Sequence, residues 1–165
     1  MTQTTSAARS ARPIPEGYHT LTAALAIEGA AQAIDFYERV FEATVLGRML
    51  GPDGQTVWHA ELRIGDSRLM LSDAMPEMGA RGPLALGGSP VTLHVYVEDA
   101  DAVFQRAVDA GATVVQPLAD AFWGDRYGRF RDPFGHEWGV ATHIEDVSDE
   151  EMNRRAAAFT GSSSS

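Results

Sequence analysis

Histidines and glutamates on three predicted strands are the residues of this chain whose types suit proton transfer. His59 and Glu61 lie two positions apart in a stretch of alternating polarity, so their side chains share one face of a strand. Burial and neighbouring charges can bring the pKa of a histidine or a glutamate close to neutrality. The sequence predicts four catalytic residues: His59, Glu137, His94 and Glu61.

Each of these residues also has a structural interpretation. A histidine on a strand is most often a hydrogen-bonding residue of the fold. Glu61 can form a same-face salt bridge with Arg63 at a sheet edge. The sequence leaves both the catalytic and the structural interpretation open, and the choice depends on how the strands position these side chains.

The composition excludes several functional classes. The 165 residues, 44% hydrophobic and 22% charged, suit one globular domain or two small modules that share a core. The absence of cysteine excludes disulfides, thiolate metal sites and cysteine nucleophiles. A net charge of −10 repels phosphate backbones and anionic lipids, so we expect neither a nucleic-acid nor a membrane partner.

The termini differ from the middle of the chain. Residues 1–15 and 161–165 are polar and lack a periodic apolar face, which predicts disorder. No apolar stretch approaches the roughly 18 residues that a membrane helix requires, and no apolar core follows the N-terminal arginines. We therefore expect a cytoplasmic protein.

Residues 16–75 are predicted to form a first βαβββ module. Apolar residues recur at helical spacing from Ala30 to Phe41, and turn residues separate the flanking stretches. The predicted strands of this module span residues 18–27, 44–50, 57–64 and 68–72.

A second module repeats this pattern after a Gly/Pro-rich linker over residues 76–90. Residues 43–46 (ATVL) reappear as 112–115 (ATVV), at an offset of 69 residues. The second module, residues 91–147, contains a strand over 91–97, a helix capped by Asp99 and a strand over 137–143. A capping box of Ser148 and Glu151 opens a predicted helix over residues 148–160.

Five motifs accompany the duplicated modules: IDFY at 34–37, WHAEL at 58–62, WGDRYG at 123–128, DPFGHEW at 132–138 and ATHIEDVS at 141–148. Their order and spacing resemble the vicinal oxygen chelate superfamily, and more narrowly its PhnB-like, glyoxalase and bleomycin-resistance-related branch. The resemblance covers about residues 18–155. It implies an α+β fold with two tandem βαβββ modules, whose curled mixed sheets surround a cup for a small molecule, usually in a homodimer.

The resemblance also implies where a metal ion would be bound. Family members that bind a divalent ion use His or Glu side chains at four points, in the first and last strands of each module. Those points fall here on Thr22, Met70, Thr92 and Gly139, which are not a credible ligand set. We expect no metal and no other cofactor.

Strand alternation then predicts what lines the cup. His94, Tyr96 and Glu137 share the face of the four metal points, and His59, Glu61 and Arg63 face the same cavity, whereas Trp58 is expected in the core. Trp123 lies in a predicted long loop and is either a lid over the cup or a loop anchor. The predicted substrate-binding residues are Trp123, Arg126, Tyr127, Tyr96, Met70, Thr22, Thr92 and Phe122.

Three functions follow from these predictions. The first is a metal-independent enzyme of the isomerase or lyase type, with His59 and Glu137 or His94 as base and acid. The second is a non-catalytic protein that binds a small molecule through aromatic walls, as antibiotic-resistance members of the superfamily do. The third is a metal-dependent lyase, isomerase or dioxygenase with a displaced site. Several ionisable groups in one cavity favour the first, because each costs desolvation energy.

Overall fold

The computed structural model describes residues 11–162. Residues 1–10 and 163–165, which belong to the predicted disordered tails, lie outside the described part. Within it, the strands and helices follow one another as two βαβββ modules and a C-terminal helix. The predicted α+β fold class is confirmed.

The first module forms a four-stranded mixed sheet. Its elements are β1 (Ala23–Ile27), α1 (Ala30–Phe41), β2 (Thr44–Leu50), β3 (Val57–Ile64) and β4 (Ser67–Asp73). The strand order is β1-β4-β3-β2, with β1 parallel to β4 and the other pairs antiparallel. The bounds of α1, β2 and β3 agree with the sequence prediction, whereas β1 is shorter because residues 18–22 do not join the sheet.

The second module repeats this topology. After a single 3₁₀ turn at Pro76–Met78 and the short α2 (Pro83–Leu86), it comprises β5 (Thr92–Tyr96), α3 (Ala100–Asp109), β6 (Thr113–Asp120), β7 (Asp125–Arg131) and β8 (Glu137–His143). Its strand order, β5-β8-β7-β6, matches that of the first sheet. Asp99 caps α3 as predicted, since its Oδ1 accepts the N–H of Ala102 at 2.9 Å.

The last element, α4 (Asp149–Ser162), begins directly after the predicted capping residue Ser148. Ser148 Oγ accepts the N–H of Glu151, and the carboxylate of Glu151 pairs with Arg154 and Arg155. The helix continues two residues into the stretch that was predicted as a tail. None of the helices within residues 11–162 is long and apolar enough to cross a membrane.

The two modules share one core, which lies between the sheets and contains α1 and α3. Phe41 of α1 packs against Trp138 of β8, with ring centroids 4.5 Å apart, and against Phe130 of β7. Asp132, buried in the turn between β7 and β8, accepts hydrogen bonds from Tyr37 Oη at 2.7 Å and from Trp138 Nε1 at 2.9 Å. Each sheet therefore packs its helix-bearing face against the other module.

This packing leaves the opposite face of each sheet pointing away from the core, because successive side chains of a strand alternate. We call these surfaces the first outward face (His59, Glu61, Arg68 and Met70) and the second outward face (His94, Tyr96, Tyr127, Arg129, Arg131 and Glu137). The sheets are unclosed within one chain, so a single copy presents two separate halves of the expected cup.

Trp58 corrects one expectation about the core. In the pairing of β2 with β3, Met49 lies opposite His59 and Leu50 opposite Val57, so Trp58 has no partner at this irregularity. Its side chain is 45% exposed and lies against Gly51 instead of the helices. Strict alternation fails because the bulge shifts the strand by one residue.

Candidate functional site

The first outward face is a network of paired charges. Glu61 accepts a hydrogen bond from Arg68 Nη1 at 3.2 Å, and His59 Nε2 lies 3.4 Å from its other oxygen. The Arg68 guanidinium lies over the ring of Tyr18, 4.4 Å from its centroid. The Tyr18 hydroxyl, with His59 and Arg68, lowers the pKa of Glu61 although burial opposes this. Glu61 is therefore an ionised, paired carboxylate, and its salt-bridge partner is Arg68, whereas Arg63 was the expected one.

The second outward face carries a continuous row of rings, the aromatic array: Phe122, Trp123, Tyr127, His94 and Tyr96. Consecutive centroids along this row lie 5.1, 5.5, 5.5 and 4.8 Å apart. The rings of His94 and Tyr127 are stacked, with an interplanar angle of 16°. Such spacings are typical of interacting aromatic pairs, and the exposed members leave ring surface available to a ligand.

Of the two roles expected for Trp123, lid or loop anchor, its contacts agree with the anchor. The predicted long loop is a tight turn between β6 and β7, closed by the Ala121 N–H to Asp125 carbonyl bond at 2.7 Å. Tyr127 belongs to β7 and not to a loop. Trp123 therefore does not lie on a long closing segment, and its indole is fixed beside the sheet.

Asp125 organises one end of the array, a role that the sequence analysis missed. This buried carboxylate accepts hydrogen bonds from Tyr96 Oη and Trp123 Nε1, both at 3.0 Å, and it contacts His143 Nδ1 at 2.8 Å. Burial alone would raise the pKa of Asp125, but the bonds from His143, Tyr96 and Trp123 lower it. Asp125 in turn raises the pKa of His143. The sequence does offer a signal for this role, since Asp125 lies two residues from both Trp123 and Tyr127 in the WGDRYG motif.

Gly139 forms the floor under the array. A Cβ built on this residue would lie 3.0 Å from His94 Nδ1 and 3.2 Å from Tyr127 Cε2. A Cβ at this position would press on both stacked rings, which would have to move by a few tenths of an ångström. Gly139 has no side chain that could bind a metal ion. The same absence leaves room for the rings of His94 and Tyr127 to stack.

Glu137 lies on the same face but is bound on both oxygens. Arg131 Nη2 donates to Oε1 at 2.8 Å, and Arg129 Nη2 donates to Oε2. Arg131 lowers the pKa of Glu137, with a further contribution from Arg129, against the effect of burial. A carboxylate held by two guanidinium groups stays ionised and is a poor proton acceptor.

The structure thus brings some predicted site residues together and separates others. His94, Glu137 and most of the predicted substrate-binding residues share the second outward face. His59, Glu61 and Met70 lie on the first, so the expected pair of His59 and Glu137 does not meet within one chain. Thr22 precedes β1, and Thr92 begins β5.

Arg126 corrects another prediction. Its guanidinium pairs with Asp101 of α3 and with Asp120 of β6. Because Arg126 alternates with Tyr127 along β7, its side chain lies on the helix side of the sheet. Arg126 is therefore a link between the sheet and α3 and is not placed to bind a ligand on the second outward face.

A groove of about 910 Å³ adjoins the array between the modules. His94 and Tyr96 line it from the second module, and Arg63, Asp66 and Arg68 line it from β3, β4 and the turn that joins them. A ligand seated on the array has room to extend into this groove.

The side chains at the four metal points do not suit a metal ion. Met70 lies on one sheet and Gly139 on the other, and neither threonine side chain is a strong donor for a divalent ion. Within residues 11–162 no group of three or more His, Asp or Glu side chains is arranged to hold one.

Comparison with known proteins gives consistent matches. The family model described as Glyoxalase/Bleomycin resistance protein/Dioxygenase superfamily matches residues 19–140. Protein Rv0887c of Mycobacterium tuberculosis is 50% identical over 131 residues, which cover 78% of this chain and 76% of that protein.

Solved structures show the same fold. TioX from Micromonospora sp. ML1 is 32% identical with a TM-score of 0.59, over 75% of this chain and 98% of that one. The Arabidopsis thaliana product AT5G48480 is 29% identical with a TM-score of 0.61, over 75% and 98%. A PhnB protein from Bacillus cereus, 20% identical over 75% and 99% with a TM-score of 0.60, supports the fold alone.

Proposed function

The chain belongs to the Glyoxalase/Bleomycin resistance protein/Dioxygenase superfamily, and from this premise we propose that it binds a small organic molecule with a planar ring on its second outward face. The observation that carries the proposal is the aromatic array, five rings in unbroken contact, of which His94 and Tyr96 are exposed and the other three are half-buried. The rings of Trp123 and Tyr127 are inclined by 64°, so a flat ligand would stack on one and meet the other edge-on, and apolar surface would be buried on both partners.

The ionisable residues favour binding over proton transfer by the predicted pair. Glu137 is held by two arginines, and Glu61 is held by Arg68. A general base must be able to take up a proton near neutral pH, which both pairings oppose. His59 also lies on the other outward face from Glu137, so the two cannot act on one ligand within a single chain.

A second copy of the chain is part of this proposal. Each chain has two outward half-sites on different sides of its core, and Met49, beside His59, is 54% exposed. In a homodimer, the first outward face of one copy would cover the second outward face of the other and exclude water from the ligand. Light scattering at micromolar concentration should give about twice the chain mass of 17.8 kDa; a single species at the chain mass would contradict it.

The binding site is tested with 2-naphthamide, a neutral planar probe, by titration calorimetry. Trp123→Leu and Tyr127→Leu should each weaken binding by about 1 to 3 kcal/mol, because each removes a stacking surface. Trp58→Leu is the matched control, since it removes an equally large ring that lies outside the array, and it should leave the affinity unchanged. Equal affinities in the wild type and in both array variants would contradict the proposal.

One observation favours acid–base chemistry at His94 as a second candidate function. Its ring nitrogens make no hydrogen bond to any residue in the described part of the chain, and its ring lies exposed within the array. A histidine whose ring nitrogens have no internal partner leaves both of them available to a bound ligand. A mixture of small metabolites incubated with the wild type and with His94→Gln would separate the two functions. A compound consumed only by the wild type supports catalysis, and recovery of every compound unchanged supports binding alone.

A further inference from the structure

Two arginines lie beside the aromatic array and are neutralised by only one carboxylate. Tyr127, Arg129 and Arg131 lie two residues apart along β7, so all three side chains are on the second outward face. We infer that the ligand is an aromatic acid, whose planar ring stacks on one of Tyr127 and Trp123 and meets the other edge-on, while its carboxylate binds to Arg129 and Arg131. This inference names the class of ligand for the proposed binding site and rests on that proposal.

The charge that this part of the face presents to solvent is positive. Glu137 cancels one of the two guanidinium charges, and its side chain is only 10% exposed, against 33% for Arg129 and 48% for Arg131. The carboxylate therefore lies below the two cations. In a chain with a net charge of −10, a surface of this kind attracts an anion that the rest of the molecule repels.

The arginines also retain unused donors. Each guanidinium has N–H groups on three nitrogens, and the bond to Glu137 uses only one nitrogen of each. Arg129 Nε is buried and has no hydrogen-bond partner within residues 11–162. A ligand carboxylate cannot reach this buried Nε, so the donors available to it are the Nη1 groups of Arg129 and Arg131, which make no hydrogen bond to any residue in the described part of the chain.

The distance between ring and cation suits one small molecule. Residues two apart on a strand are about 7 Å apart, so Arg129 lies about that far along β7 from Tyr127. A bicyclic ring with a carboxylate spans this interval. Arg129 also pairs with Gly139 in the sheet, so no side chain on β8 stands between the cation and the stacked rings.

The test compares two probes of one shape, anionic 2-naphthoate and neutral 2-naphthamide, by titration calorimetry. Arg131→Gln should weaken binding of 2-naphthoate about tenfold or more, because it removes a charge-assisted hydrogen bond, and should change 2-naphthamide affinity less than about twofold. Glu137→Gln should act in the opposite direction and strengthen binding of 2-naphthoate, since both guanidinium groups lose their internal partner.

Arg126→Gln is the matched control, since it removes an arginine from the same strand on the helix side, and it should leave both affinities unchanged. Thermal melting verifies that each variant is folded, and Arg131→Lys, which keeps the charge, should retain most of the preference for the anion. Equal losses for the two probes in Arg131→Gln, or no loss for either, would overturn the inference. Binding of 2-naphthamide that still depends on Tyr127 would then leave the proposed function intact, whereas no dependence of either probe on Tyr127 would overturn both.

Discussion

The two modules agree on their inner sides and differ on their outer sides. In both, the end of the fourth strand holds the first N–H of the module's helix. Asp73 Oδ1 accepts from Ala30 at 2.8 Å, and Thr142 Oγ1 accepts from Ala100 at 2.9 Å. Both helices then pack into the same core, so the repeated positions build the scaffold.

The two outward faces, in contrast, carry different side chains and different contacts. On the first, Glu61 occupies the centre of a charge network beside Tyr18, and the turn between β2 and β3 is closed by Asp53. On the second, the corresponding turn carries Phe122 and Trp123 into the aromatic array. The proposed ligand site therefore lies where the two copies of the module diverge.

The largest effect on stability is expected in the shared core, where the two modules are alike. Asp132→Ala should lower the free energy of unfolding by about 3 to 5 kcal/mol, because it leaves buried donors on Tyr37 and Trp138 without an acceptor. Urea unfolding measures this. Asp53→Ala is the matched control, since it removes an exposed aspartate that also accepts several hydrogen bonds, and its effect should be far smaller. Equal losses, or separate unfolding transitions for the two modules, would contradict a shared core.

An intermediate effect is expected on the side where the modules differ. Gly139→Ala should destabilise the protein by about 1 to 3 kcal/mol, because its Cβ would press on the stacked rings of His94 and Tyr127. It should also weaken binding of 2-naphthamide. Gly47→Ala in β2 is the control, since a Cβ there meets no atom within 4 Å. A stable Gly139→Ala protein with unchanged affinity would show that the stack does not form the site.

The smallest effect is a pH dependence confined to the second module. Asp125, with a further contribution from Asp146, raises the pKa of His143, so the contribution of these contacts to stability is fully present below pH 6.5 and is lost as pH rises through the folded pKa. The pKa of Asp125 is lowered despite burial, so the same contribution is lost in acid, below pH 3.8. The melting temperature difference between wild type and His143→Gln should therefore be larger at pH 5.5 than at pH 9.

The first module supplies the comparison for this pH dependence. Arg68 stays charged throughout this range, and the pKa of Glu61 is lowered from 4.5, so the pair is ionised at both pH values. The difference in melting temperature between wild type and Arg68→Gln should be the same at pH 5.5 and at pH 9. If this melting temperature difference changed equally with pH in His143→Gln and Arg68→Gln, the pH dependence would not arise from His143.

The sequence predicted the scaffold better than the site. Apolar periodicity and turn residues were enough for α1, β2 and β3, whose interactions are local. Alternation also identified which face of each sheet is apolar. It could not predict that the two apolar faces would pack against each other, because that choice depends on contacts such as Phe41 with Trp138, nearly a hundred residues apart.

The errors at the site have equally physical causes. Trp58 was assigned to the core because alternation does not register a bulge. The start of β7 was taken for a loop because Asp125 and Gly124 have low strand propensity, which the hydrogen bonds of Asp125 override. Arg126 was assigned to the ligand because its partners, Asp101 and Asp120, become neighbours only in the folded chain.

The most direct test uses the three tryptophans of the chain, which lie in three different regions. Trp58 is at the edge of the first module, Trp138 is in the shared core, and Trp123 is in the aromatic array. Their indole N–H signals can be resolved in a heteronuclear NMR spectrum and assigned by single Trp→Phe substitutions, while 2-naphthamide is added in steps. A shift of the Trp123 signal that saturates, with the Trp58 and Trp138 signals unmoved, is the predicted result. A saturating shift of Trp58 alone, or no shift of Trp123, would contradict a ligand site on the second outward face.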